Sequence, residues 1–182
     1  LKLLKVTGYL ASGSLDYTIR LWNPVTGSFI SSFNDEDEIL ALEELANGNL
    51  VTGSRGRYIS IWSLLPNQKL RTLTGHTGWV WSLNLIDSNT LVSSSLDLTA
   101  KIWNPNNGSM LREMNFNLNI VRRTHELNDD FLISTMDSYM IIWNYKTGII
   151  IKTYQNNQIF FPNSEIINPS GKHKPIIVLL FL

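Results

Sequence analysis

The chain of 182 residues contains no cysteine, so neither a disulfide framework nor a thiolate metal site can be built from it, and redox usage says nothing of its compartment. Charge of either sign is not in excess. Fifteen basic and fifteen acidic residues give a formal net charge of zero, which lacks the basic footprint of a dedicated nucleic-acid binder. Long apolar runs are missing too: the longest, Ile176–Leu182, falls far short of the roughly 20 residues a membrane-spanning helix needs and reads as a strand. Neither nucleic acid nor membrane is therefore an expected partner. Histidine is scarce; His76, His125 and His173 have no close His/Asp spacing that would make a metal ligand set. No nucleophile elbow, phosphate-cradling glycine loop or dinucleotide fingerprint occurs, so no cofactor is expected. The chain starts at Leu1, and no charged segment followed by an apolar stretch and a cleavage site comes after it. The expectation is an intracellular, cytoplasmic protein lacking its start.

What is present is a hydrophobic content of 43%, with 10% aromatics, ample for a packed core, and a repeat. Trp22, Trp62, Trp103 and Trp143 follow at intervals of 40, 41 and 40 residues, ending the segments LASGSLDYTIRLW, LVTGSRGRYISIW, LVSSSLDLTAKIW and FLISTMDSYMIIW. The register holds position by position. Six residues before each Trp stand Asp16, Gly56, Asp97 and Asp137; one before stand Leu21, Ile61, Ile102 and Ile142. A fixed period of this length decides architecture. Each unit is a series of short segments rich in β-branched and aromatic residues, bounded by turn residues, the signature of strands. In the second unit, strands are expected at about Ile39–Leu45, Asn49–Gly53, Tyr58–Trp62 and Lys69–Leu73, with ends uncertain by about two residues. Such a four-stranded meander has two apolar faces to cover, which stacking around an axis into a β-propeller achieves.

These residues resemble the WD-repeat family, whose blades carry Gly-His near their start and Trp-Asp at the end of the third strand. The resemblance implies an all-β fold: a β-propeller of about four four-stranded antiparallel blades, near residues 1–34, 35–74, 75–115 and 116–158, plus a divergent remnant of a fifth at 159–182, an incomplete ring. Gly-His occurs here once, as Gly75-His76, and the last Asp of the signature is Asn23, Ser63, Asn104 and Asn144. The family's hydrogen-bonded tetrad is implied in full only for the third unit, by His76, Ser93, Asp97 and Trp103. Unit one keeps Ser12, Asp16 and Trp22. Unit two keeps Thr52 and Trp62, with Asp35 in the His place; unit four keeps Asp137 and Trp143, with Phe116 and Ile133 in the His and Ser places. Units two and four are thus expected to be held chiefly by packing.

By function, the resemblance implies a non-catalytic protein–protein interaction scaffold that takes a peptide or protein on its top face. Alternatives are a structural subunit or adaptor of a larger assembly, such as a ubiquitin ligase, trafficking or chromatin complex, and, remotely, a propeller enzyme, for which no converging carboxylates or histidines stand out. Leu15, Arg55, Leu96 and Met136 precede the turn Asp position, at hairpin tips expected on that top face, where apolar side chains suit contact better than solvation. Trp79 and Trp81 are the two tryptophans outside the repeat. They stand at the start of a first strand, where the matching residues elsewhere are Glu38 and Leu40, then Asn119 and Val121. Trp79 and Trp81 are the proposed anchors, on one strand face unless a bulge intervenes; an inward, core role for one of them is the alternative. The acidic run Asp35–Glu38, with Glu43 and Glu44, is either a solvated loop or a seat for a basic segment. Further blades from a longer chain, or a second copy, would cover the open ends.

Overall fold

The computed structural model describes residues 1–117 and 120–155; Asn119 and the expected remnant at 159–182 lie outside the described residues. Among the described residues, sixteen strands form four sheets. Blade one is β1 (Lys2–Leu3), β2 (Leu10–Gly13), β3 (Thr18–Trp22) and β4 (Phe29–Asn34). Blade two is β5 (Ile39–Glu44), β6 (Leu50–Ser54), β7 (Tyr58–Leu64) and β8 (Asn67–Thr74). Blade three is β9 (Val80–Asp87), β10 (Thr90–Ser95), β11 (Thr99–Trp103) and β12 (Met110–Asn115). Blade four is β13 (Arg123–Glu126), β14 (Phe131–Thr135), β15 (Tyr139–Asn144) and β16 (Ile150–Gln155). Spatial order follows chain order and every pairing is antiparallel, so each sheet is a meander, the outcome favoured when consecutive strands are joined by tight turns.

Blades stack through three apolar junctions. Between blades one and two, Leu4, Ala11, Ile19 and Leu21 meet Ile39, Leu50, Trp62 and Leu64. Between two and three, Val51, Ile59 and Ile61 meet Val80, Leu83, Leu91 and Trp103; between three and four, Val92, Ala100 and Ile102 meet Leu132, Ile141 and Trp143. Trp62, Trp103 and Trp143 are therefore each sealed by the blade before them. Trp22 has no such neighbour: it is only half-buried, edge-on to the exposed Phe29. The blades come close because one second-strand position is small. A Cβ on Gly13 would lie 2.3 Å from Ile39 Cγ2, and one on Gly53 2.8 Å from Val80 Cγ1. At the same position in blade three, Ser94 hydrogen-bonds Thr124 of blade four at 2.7 Å. Polar clasps add to this on the opposite edge, where Arg71 donates to the carbonyls of Asn106 and Asn107 and Arg112 to that of Lys146, each on the next blade.

The outermost strands share a further device. In all four, the pairing with the third strand shifts by one residue beside the repeat Trp, leaving Ile30, Leu70, Leu111 and Ile151 as the extra residue of a β-bulge. These aliphatics are 39%, 50%, 55% and 54% exposed.

The hairpins between second and third strands explain the recurrent Asp. Asp16 and Asp97 each accept the N–H of the Thr two residues on, at 3.0 Å, which stabilises left-handed φ at the residue between, Tyr17 (71°) and Leu98 (68°). Blade four departs from this. Trp22, Trp62 and Trp103 pair with Leu10, Leu50 and Leu91, twelve residues earlier, but Trp143 pairs with Leu132, eleven earlier. Its hairpin is one residue shorter, closing with the Met136 N–H donating to the Tyr139 carbonyl.

Candidate interaction surface

The buried frame beneath the surface is a directional hydrogen-bond chain. In blade three, Trp103 Nε1–H donates to Ser93 Oγ at 2.8 Å, Ser93 Oγ lies 2.7 Å from His76 Nε2, and His76 Nδ1 lies 2.8 Å from Asp97 Oδ2. Asp97 is an acceptor, so His76 donates to it from Nδ1–H, while Nε2 pairs with the Ser93 hydroxyl that takes the indole N–H, and every member has a partner. Burial works against the charged form of Asp97, but hydrogen bonds from His76, Thr99 and Thr77 outweigh it and hold the carboxyl well below the usual carboxylate range. Asp97→Ala should cost about 1–3 kcal/mol through stranded buried partners. The sign in pH follows from the lowered pKa. The contribution is complete above the unfolded value of about 3.9 and is lost as pH falls toward the folded value. Urea titrations of the variant and the parent should therefore converge on acidification below about pH 4; a gap that widens in acid would contradict this role for Asp97.

Two other blades replace this chain in ways that require a correction. Blade two, expected to be held chiefly by packing, has a polar chain of its own: Asp35, with its side chain fully enclosed, accepts from Thr52 Oγ1 at 2.9 Å and from Lys69 Nζ at 2.8 Å, while Trp62 Nε1–H donates to Thr52 Oγ1. Burial works against the Lys69 ammonium, yet its bonds to Asp35 and Glu36 raise its pKa above the usual lysine value. In blade four, Phe116 packs edge-on to Trp143 where His76 does so to Trp103. The hydroxyl receiving the indole N–H is that of Ser134, not at the Ile133 position, because the shorter hairpin moves the register by one. Ser134 bonds Thr124, and Thr124 bonds Ser94 across the junction. The acidic run and its neighbours are paired within the chain. Glu36 pairs with Lys69, Glu38 with Arg55 and Glu43 with Lys2, and Glu44 accepts the N–H of Val6.

On the edge carrying the tips of these hairpins, Trp79 and Trp81 are half-buried, and neither belongs to a core cluster. The cause is a bulge. Ser95 pairs with Val80 and Ser94 with Ser82, so Trp81 is the extra residue; Val80 and Leu83 turn into the junction and the indole is left outside. The two rings lie 5.8 Å apart, tilted by 55°. The Arg55 guanidinium, from blade two, sits 3.9 Å from the centroid of Trp79, and that of Arg122, from blade four, 5.5 Å from the centroid of Trp81. Glu38 orients Arg55 at 2.7 Å, and Asp137 orients Arg122 through Nε at 2.8 Å and Nη2 at 3.3 Å. Arg, Trp, Trp and Arg thus form a ladder across three blades. Trp81 Nε1 is buried and makes no hydrogen bond, the one such side-chain atom among the described residues.

The remaining expected contact residues divide. Leu15 is 62% exposed at the tip of blade one, and Leu96 is half-buried against Gly78. Met136 is corrected: at 7% exposure it lies in the junction of blades three and four, because the shortened hairpin gives it the place that Ser95 holds in blade three. Arg122 escaped sequence reasoning. Thr124 faces Ser134 where Leu83 faces Ser93, so Arg122 follows the buried Val121 as Trp81 follows Val80; counting back from Trp143 misses this by one because the hairpin is one residue shorter. No group of three or more His, Cys, Asp or Glu is placed to hold a metal ion among the described residues.

Stacked four-stranded meanders whose first strands adjoin in sequence define an open arc of a β-propeller. The family model described as "WD domain, G-beta repeat" matches residues 5–23 and 67–104, the second stretch spanning the His76 to Trp103 chain. The solved structure of U3-55K superposes with a TM-score of 0.77 at 20% identity, over 85% of this chain and 50% of that one. The WD40 repeats of RRP9 do so with 0.75 at 21%, over 82% and 48%. Over the matched stretches the chain carries WD40-type repeats, and its fold is that of WD40 repeat domains. Among curated proteins it is 28% identical over 134 residues to eukaryotic translation initiation factor 3 subunit I of Eremothecium gossypii, covering 68% of this chain and 38% of that protein. The chain thus spans well under two thirds of the proteins it matches. WD40 propellers serve in general as non-catalytic interaction scaffolds.

Proposed function

We propose that this chain is a non-catalytic interaction module that docks a protein or peptide on the rim formed by Arg55, Trp79, Trp81 and Arg122, with Leu15 and Leu96 flanking it. One observation carries this reading: a bulge leaves Trp81 outside a core that packs without it, beside Trp79 just ahead of the strand, and arginines from both neighbouring blades hold the two rings in place. Binding energy at protein interfaces concentrates in Trp and Arg, and rings already fixed by packing lose little entropy on docking. A role as subunit or adaptor within a larger assembly is the second reading, favoured by the likeness to the translation-factor relative, itself a subunit by name. The half-covered flank of blade one, with Trp22 and Phe29, is the seat of a further blade, from a longer chain or a second copy. An intracellular setting belongs to the same proposal.

The test compares proteins captured by the parent, by the Trp79→Ala/Trp81→Ala double variant, and by Leu65→Ser on the exposed hairpin of the opposite edge. Partners retained by parent and Leu65→Ser should be lost from the double variant while its melting stays near the parent's. An unchanged partner set, or a collapse of the fold, would count against the rim.

A further inference from the structure

Resting on that docking reading, we infer that the rim selects an acidic, extended segment, donating guanidinium N–H groups to its carboxylate and, as docking uncovers the indole edge, Trp81 Nε1–H to its main-chain carbonyl, and rejects a cationic one. Exposed tryptophan pairs ordinarily invite a cation over the ring face. Here those places are taken: Arg55 stands over Trp79 and Arg122 over Trp81, so an incoming ammonium would meet a resident positive charge.

The polar atoms of the ladder are all donors, since Trp and Arg have no acceptor. Arg55 spends Nη1 on Glu38, and Arg122 spends Nε and Nη2 on Asp137. A guanidinium has five N–H groups, so both keep donors to give. Glu38 and Asp137 fix the planes of these groups without exhausting them, and both side chains remain partly exposed, Arg55 at 44% and Arg122 at 46%. The sharpest pointer is the indole N–H of Trp81, enclosed yet unbonded. A buried donor without an acceptor is destabilising, and an apolar ligand would seal it further. A segment that brings oxygen satisfies it and forms charge-assisted bonds beside it.

The experiment follows the six tryptophan indole N–H resonances of the whole chain by ¹⁵N NMR, with Trp79→Phe and Trp81→Phe assigning two of them. Three blocked pentapeptides, acetyl-Ala-Leu-X-Leu-Ala-amide with X as Glu, Gln or Lys, are titrated at low salt. The Glu peptide should move the Trp81 indole proton downfield and bind about tenfold more tightly than the Lys peptide, and Trp81→Phe should remove most of that affinity. Equal shifts with the Lys and Glu peptides would leave docking on the rim intact and overturn the inference of acidity. Binding that moves other indoles but not those of Trp79 and Trp81 would overturn the rim itself, as would no shift with any of the three.

Discussion

Trp103→Ala should lower the unfolding free energy by about 3–5 kcal/mol, the range for deleting a fully buried large aromatic, whereas Trp22→Ala should cost about 1–2 kcal/mol, as expected where the ring is only partly removed from water. The two residues hold the same repeat position, end the same strand and donate their indole N–H to the same kind of serine, Ser93 and Ser12. They differ in what covers them. Trp103 is packed under Val51, Ile59 and Ile61 of blade two, while Trp22 shares its flank with solvent and Phe29. Removing Trp103 also strands Ser93 Oγ within a chain that runs on to His76 and Asp97. Urea denaturation of both variants measures the contrast directly. Equal losses would mean that stacking of one blade on the next contributes little, and that each sheet carries its own stability.

The second large effect lies in blade two. Lys69→Met should cost about 3 kcal/mol, near the low end for removing one partner of a buried pair because Lys69 keeps some contact with water. The loss comes from Asp35, whose enclosed carboxylate would keep the Thr52 and Ser60 hydroxyls and the Glu36 N–H as donors but lose its cationic partner. Asp35→Asn on that background should restore most of the stability, since the amide removes the charge and keeps the bond from Thr52. The double-variant cycle separates the two accounts: additive losses would show that Lys69 acts through its ammonium over the rings of Trp62 and Tyr58, not through Asp35.

Much of the fold was legible because the repeat is written in side chains that must point inward. A Trp every 40 or 41 residues, with an aliphatic before it, is the imprint of one junction used three times. The His76, Ser93, Asp97 and Trp103 set was legible for the same reason, its members holding fixed places in the repeat. What escaped was local. One residue missing from the blade four hairpin carried Met136 off the tip into the core and passed the hydroxyl role to Ser134. The pairing of Asp35 with Lys69 joins residues 34 apart that no repeat position marks. The outward turn of Trp81 depends on a bulge, which alternation of side chains along a strand does not encode.

The bulges on the outermost strands bear on how this architecture grows. A straight edge strand is a template for another strand, but Ile30, Leu70, Leu111 and Ile151 each interrupt the ladder at the same level, so sideways extension of a sheet is blocked four times over. The flanks of the blades have no such block. Addition therefore runs in one direction only, around the axis and in whole units of about 40 residues, and any blade gained or lost at the far end of the arc leaves the register of every existing strand, and the ladder of arginines and tryptophans, untouched.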